Sequence, residues 1–247
     1  MKWKLAGLAA LMIFAVPFLA AWGEAPTPVK PTAPLADIVY EVNDKIEQLD
    51  TLLVTAESYE EKREAEIQRA FGVLAVMGQA LAEHEDREKT GISGPALREA
   101  ALPFTIETSY DDAKAILAAV KEAQSGGGAT DAAVEHDWDK LVPMYPMMEE
   151  INERNAALVR VIRRPRGREG ESAQASTIAL LSIVMYADTH LVEGEDDVAA
   201  WQEMSDEYRT LMVQVAEAIR AQDGDTARTH FDAANETCDR CHEKFRD

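Results

Sequence analysis

The residues with the clearest chemistry stand at the end of the chain, in the run Asn235-Glu236-Thr237-Cys238-Asp239-Arg240-Cys241-His242-Glu243-Lys244-Phe245-Arg246-Asp247. C-x-x-C-H is the attachment signature of c-type haem. The spacing has a physical reason. Two thioether bonds tie the cysteines to the haem vinyl groups, and in a helix Cys238 and Cys241 lie on one face, three residues apart. His242 is four residues beyond Cys238, so its imidazole rises on the same face and can ligate the iron. The chain has only 2 cysteines and 5 histidines, and random placement would produce this arrangement with a probability on the order of 10⁻⁴.

Other chemistries of a Cys pair fit less well. A thioredoxin-like dithiol follows a β-strand at a helix N-terminus, whereas this motif falls late in a helical pattern. A zinc site needs four ligands and only three are local. A plain disulfide leaves His242 without a role. Periodicity also favours the haem reading. Ala227, Phe231, Ala234, Cys238, Cys241 with His242, and Phe245 follow one another at steps of three and four, a continuous apolar stripe. A haem attached there is expected to lie against a core.

From Leu35 onward the apolar period is close to 3.6 and no alternating strand pattern competes. The expected fold class is all-α, with helices over about 36–54, 58–87, 95–124, 129–162, 172–192, 196–222 and 225–245. Glycines 91, 94, 126–128, 167, 170, 194 and 224 punctuate the pattern, and Pro143 and Pro146 are expected to divide the fourth segment.

The chain also repeats itself. Residues 38–53 (IVYEVNDKIEQLDTLL) resemble 147–162 (MMEEINERNAALVRVI) at an offset of 109. Residues 75–84 resemble 181–190 at an offset of 106, with His84 over His190. Residues 110–126 resemble 208–224 at an offset of 98. Three matches in order predict two tandem antiparallel helical bundles. A haem-less bundle spans 35–138 and a haem-binding four-helix bundle spans 139–247. At the offset of 98, Cys238, Cys241 and His242 fall on Lys140, Pro143 and Met144, and the first copy holds no cysteine.

A four-helix bundle with C-x-x-C-H near its C-terminus, followed by an aromatic residue and an Arg (Phe245-Arg246), resembles the cytochrome c′ family. The resemblance covers 139–247 by motif and 35–138 through the internal repeat alone. It implies an exported antiparallel bundle with one covalent haem c on its last helix. The duplication is a departure, since family members usually hold a single bundle.

The residue opposite His242 would decide the function. In an up-down-up-down bundle, the end of the fourth helix lies beside the start of the first and the end of the second. The candidates there are Met144, Met147, Met148 and His190. The segment Met148-Glu149-Glu150-Ile151-Asn152 resembles the first helix of the related periplasmic b-type bundle cytochrome, and this resemblance implies Met148 as the distal ligand. Met is also a common core filler. His190 pairs with His84 of the haem-less copy, which points to a structural or surface role. With Met148 bound, the iron is saturated and suits electron transfer. With the sixth position open behind apolar side chains, the alternative is a five-coordinate protein that binds NO or CO.

The remaining features set the context. Met1-Lys2-Trp3-Lys4 followed by the apolar run Leu5 to Ala21 reads as a secretory signal over 1–23, with an uncleaved membrane tether as the other reading. Residues 24–34 (EAPTPVKPTAP) form a proline-rich linker. The expected location is periplasmic. With 25 Lys+Arg against 45 Asp+Glu, the formal charge is −20, which argues against a nucleic-acid partner. Glu193, Glu195, Asp196, Asp197 and Glu243 are expected near the haem edge and favour a basic redox partner. The arginines at 160, 163, 164, 166 and 168 are expected at the other end of that bundle. No P-loop, dinucleotide fingerprint, H-E-x-x-H or nucleophile elbow is present, and no acid–base constellation accompanies the motif, so the chain is not expected to be an enzyme.

Overall fold

The computed structural model describes residues 32–129 and 131–246. The signal segment 1–23 and most of the proline-rich linker lie outside the described residues. The fold is all-α, with no strand among the described residues.

Helix α1 spans Leu35–Leu52 and α2 spans Ala56–Lys62. A π-helical turn at Arg63–Ile67 carries α2 directly into α3, Gln68–Glu83. Helix α4 is Gly94–Ala101 and α5 is Tyr110–Gln124. The sequence pattern predicts one helix over 95–124, but Pro103 cannot donate to a helical ladder. The chain leaves the helix there and re-enters where the Ser109 side chain accepts from the Asp112 amide at 3.2 Å. Residues 125–129 and 131–143 are loop and turn except for a short 3₁₀ turn at Trp138–Lys140. The expected helix from 129 therefore begins only at α6, Met144–Ile162, with Pro143 as its N-cap residue and Pro146 in its first turn, where a missing N–H costs nothing. Then follow α7 (Ala173–Ala187), α8 (Glu195–Arg220) and α9 (Gly224–Phe245).

The halves share a helix plan. In the first, α3 packs on α1 and α4, and α5 packs on α4 and α1. In the second, α7 packs on α6 and α8, and α9 packs on α8 and α6. Helix α5 is therefore the counterpart of α9, not of α8 as the 98-residue match implies. An offset of 114 aligns them, and the buried residues then coincide: Ala113, Leu117, Val120 and Ala123 against Ala227, Phe231, Ala234 and Thr237. Long-range packing decides this equivalence, while Ala-rich amphipathic stretches resemble one another wherever they fall. The positions equivalent to Cys238, Cys241 and His242 are then Gln124, Gly127 and Gly128, instead of Lys140, Pro143 and Met144.

One hydrophobic core runs through both halves. Its inter-half part is made by α1 on α7, α6 on α3, and α3 on α7. The matching apolar positions of α1 and α6 are buried alike: Val42 with Ile151, Leu49 with Leu158, and Leu53 with Ile162. Between these helices lies a buried ionic cluster. Arg154 pairs with Glu41 and with Glu150, the latter at 2.7 Å, and Lys45 pairs with Glu150 at 3.1 Å. Arg69 adds a contact to Glu150 at 3.2 Å, and the Gln174 side chain accepts from Arg154 at 2.9 Å.

Candidate haem-attachment site

Helix α9 carries the motif. Its start is set by Asp223, whose side chain accepts from the Thr226 amide at 3.0 Å. Its stripe is buried at Ala227, Phe231, Ala234 and Thr237, and continues through half-buried Cys238, Cys241 and Phe245 packed against the core. Cys238 and Cys241 are thus brought together on the inward face, as free thiols. His242 departs from the stripe and is exposed.

Cys238 lies beside the Tyr208 phenol of α8, which is 2% exposed. Asn155 of α6 donates from Nδ2 to that hydroxyl at 3.2 Å. Three helices therefore converge on one thiol. Burial pushes the Cys238 thiol up to about 11, partly opposed by the hydrogen bond with Tyr208, and burial raises Cys241 as well. Both are protonated at neutral pH. Neither thiol has the lowered pKa that a disulfide-exchanging dithiol needs.

The C-terminal end of α9 is closed by aromatic packing. Phe245 meets Trp201 of α8 edge-on, with ring centroids 5.3 Å apart at 76°. Trp201 is anchored by its Nε1–H, which donates to the Met185 carbonyl at 2.6 Å. Lys244 bridges to Asp197 at 2.9 Å, and Arg240 to Glu207 at 2.6 Å. The acidic start of α8 therefore lies at the same end of the bundle as the motif. The arginine-rich turn lies at the other end. Arg163 and Arg164 line a surface depression of about 670 Å³ with Asp223, Gly224 and Arg228 at the start of α9.

Met148 is half-buried against the core. It shares the face of α6 that carries Ile151 and Asn155, seven residues from Asn155, or about 10 Å along the axis. His190 is exposed in the loop after α7, its ring held by Asp188. Its sequence counterpart His84 is buried and accepts from the Asp86 amide at 3.0 Å. The two histidines match in sequence and differ in environment.

The first half is built differently at the equivalent place. Helices α3 and α4 touch backbone to backbone, so that a Cβ on Gly78 would stand 2.5 Å from the Arg98 amide nitrogen. Buried Arg98 bonds Gln79 and the carbonyls of Ala133 and Val134, at 2.8 and 3.2 Å for the latter two. Trp138 is fully buried and donates to Glu83 at 3.0 Å. Ala133, Val134 and Trp138 are thereby tied to α3 and α4, whereas the second half extends α9 along α8.

Nothing local in the sequence distinguishes Tyr208 and Trp201 from other helix-face residues, and Asn155 stands out there only as sharing a face with Met148 and Ile151. Sequence reasoning also passed over the ionic cluster, although the 109-residue match places Glu41 on Glu150 and Lys45 on Arg154.

Residues 238–242 fit covalent haem by their donor set: two half-buried thiols on the inward face and an exposed imidazole one residue beyond. Cys238 and Cys241 would hold the porphyrin and His242 the iron. Set against known proteins, the chain matches no family model, no curated protein and no solved structure at a significant level.

Proposed function

We propose that the chain is an exported, periplasmic c-type cytochrome that carries one haem c and transfers electrons. The observation that carries this reading is the placement of the C-x-x-C-H thiols, half-buried on the core-facing side of the last helix of a four-helix bundle. The haem, when bound, supplies an iron that takes up and releases one electron. The chain's own residues do the rest. Cys238 and Cys241 would fix the group to α9, and the exposed His242 would offer its imidazole to the iron. Tyr208 and Asn155 brace the Cys238 end, and Trp201 packs on Phe245 beyond the motif. Met148 is the proposed sixth ligand. Glu193, Glu195, Asp196, Asp197 and Glu243 surround this end with negative charge, which favours a basic partner. No catalytic group is assigned.

One observation favours a second reading, a five-coordinate gas-binding site. Asn155 meets Cys238 through Tyr208, and α6 runs antiparallel to α9. Four residues along α9 stands His242, and four residues back along α6 stands buried Ile151. An apolar residue at that level is what an open sixth position needs.

The test is the optical spectrum and haem content of the purified full chain, oxidised and reduced, with and without CO. One haem per chain, resistant to acid–acetone, is expected, and Cys238→Ala with Cys241→Ala should be colourless. Extractable colour, or zinc in place of haem, overturns the reading. CO binding to the reduced wild type selects the five-coordinate alternative over Met148 ligation. His190→Gln should leave the spectrum unchanged.

A further inference from the structure

The ionic cluster between the halves is reciprocal. Glu41 and Lys45 of α1 occupy the positions of Glu150 and Arg154 in α6. Arg154 reaches across to Glu41, and Lys45 reaches across to Glu150. Each cation thus binds the acid that is the counterpart of its own helix neighbour. Residue i contacting j′ while j contacts i′ is the signature of an isologous, two-fold contact. The helix packing repeats the rule. The first helix of each half packs on the second helix of the other, α1 on α7 and α6 on α3, and the two second helices, α3 and α7, meet each other. All four charged groups are buried, from 0% exposure at Glu41 to 8% at Lys45, so this contact is central to the molecule and not a surface decoration.

We infer that the α6–α7 face is a self-complementary docking surface whose fitting partner is another copy of itself, and that the first half occupies it in cis as a built-in second subunit. A face of this kind carries its own acid and its own base, Glu150 and Arg154, four residues apart. Two copies related by a two-fold axis can satisfy both charges, as α1 does now. The covering half keeps that face from associating with other chains. It also explains why a half without cysteines retains a bundle plan matching its neighbour's: the face it offers must keep the geometry of a haem-bundle subunit. The inference stands on the packing alone and does not depend on haem.

The test uses the full chain and its mass in solution by light scattering, with the melting midpoint as a second readout. Glu41→Arg with Lys45→Ala sets a second guanidinium against that of Arg154 and removes the cation facing Glu150, while leaving α6 intact. Released from its partner in cis, the α6–α7 face should pair with that of a second chain, and the mass should double relative to wild type as concentration rises. Adding Arg154→Ala should abolish the association. A folded Glu41→Arg/Lys45→Ala variant that keeps the wild-type mass at all concentrations overturns the inference. If that variant does not fold, Glu41→Arg with Arg154→Glu decides. It places two cations on α1 opposite two anions on α6, so the contact in cis survives but α6 can no longer pair with itself. Wild-type mass and a melting midpoint near wild type support the inference, and failure of this exchange to fold overturns it.

Discussion

Arg154→Met should be among the most damaging single changes away from the haem site. Arg154 is 3% exposed and binds Glu41, which is fully buried. Without the guanidinium, the nearest cation to Glu41 is Lys45 at 3.9 Å, and that ammonium is already engaged with Glu150 at 3.1 Å. Removing one member of a buried pair leaves a charge uncompensated and typically costs about 3–5 kcal/mol. For a domain of this size each kcal/mol moves the melting midpoint by roughly 2–4 °C, so a fall of about 6–20 °C is expected. Circular dichroism melts of wild type, Arg154→Met and Glu41→Leu/Arg154→Met supply the assay. The double variant should recover most of the loss, because replacing a whole buried pair by apolar groups is near neutral. Arg240→Ala is the control: its pair with Glu207 is half-exposed and should cost under about 1 kcal/mol. If Arg154→Met melts like Arg240→Ala, or the double variant is no better than the single, the cluster does not hold the halves together as argued.

The same cluster predicts an acid limb. Burial disfavours the Glu150 carboxylate, but the Arg154 and Lys45 charges outweigh it and lower its pKa from 4.5 to about 2. Its contribution, about 3 kcal/mol, is present above pH ~4.5 and lost as pH falls through ~2, so a pH series of melts should decline in that window and Glu150→Gln should flatten it. Gly78→Ala should destabilise by at least about 1–3 kcal/mol, because its Cβ would press on Arg98 backbone atoms that cannot rotate away; a chemical denaturation curve reads this directly. Neutralising Glu195, Asp196 and Asp197 should flatten the salt dependence of association with a small basic redox protein, whereas neutralising Glu57, Glu60 and Glu64 of the first half should not; equal flattening would place docking away from the motif.

What the residues alone determine here is whatever depends on neighbours a few positions apart. The helical period, the breaks at Pro143 and the glycine runs, and the Cys238–Cys241–His242 spacing are local, and they suffice for an all-α chain with that motif on its last helix. The match of 38–53 to 147–162 is legible too, and its apolar positions are buried alike. Packing decided the rest. The pairing of α5 with α9, the exposure of His242, and the meeting of Tyr208 and Asn155 at Cys238 each depend on how helices far apart in sequence lie against one another. The reciprocal bonds of Glu41 with Arg154 and of Lys45 with Glu150 show the division most clearly: the alignment supplies equivalent residues, but only a two-fold arrangement of the halves turns equivalence into contact.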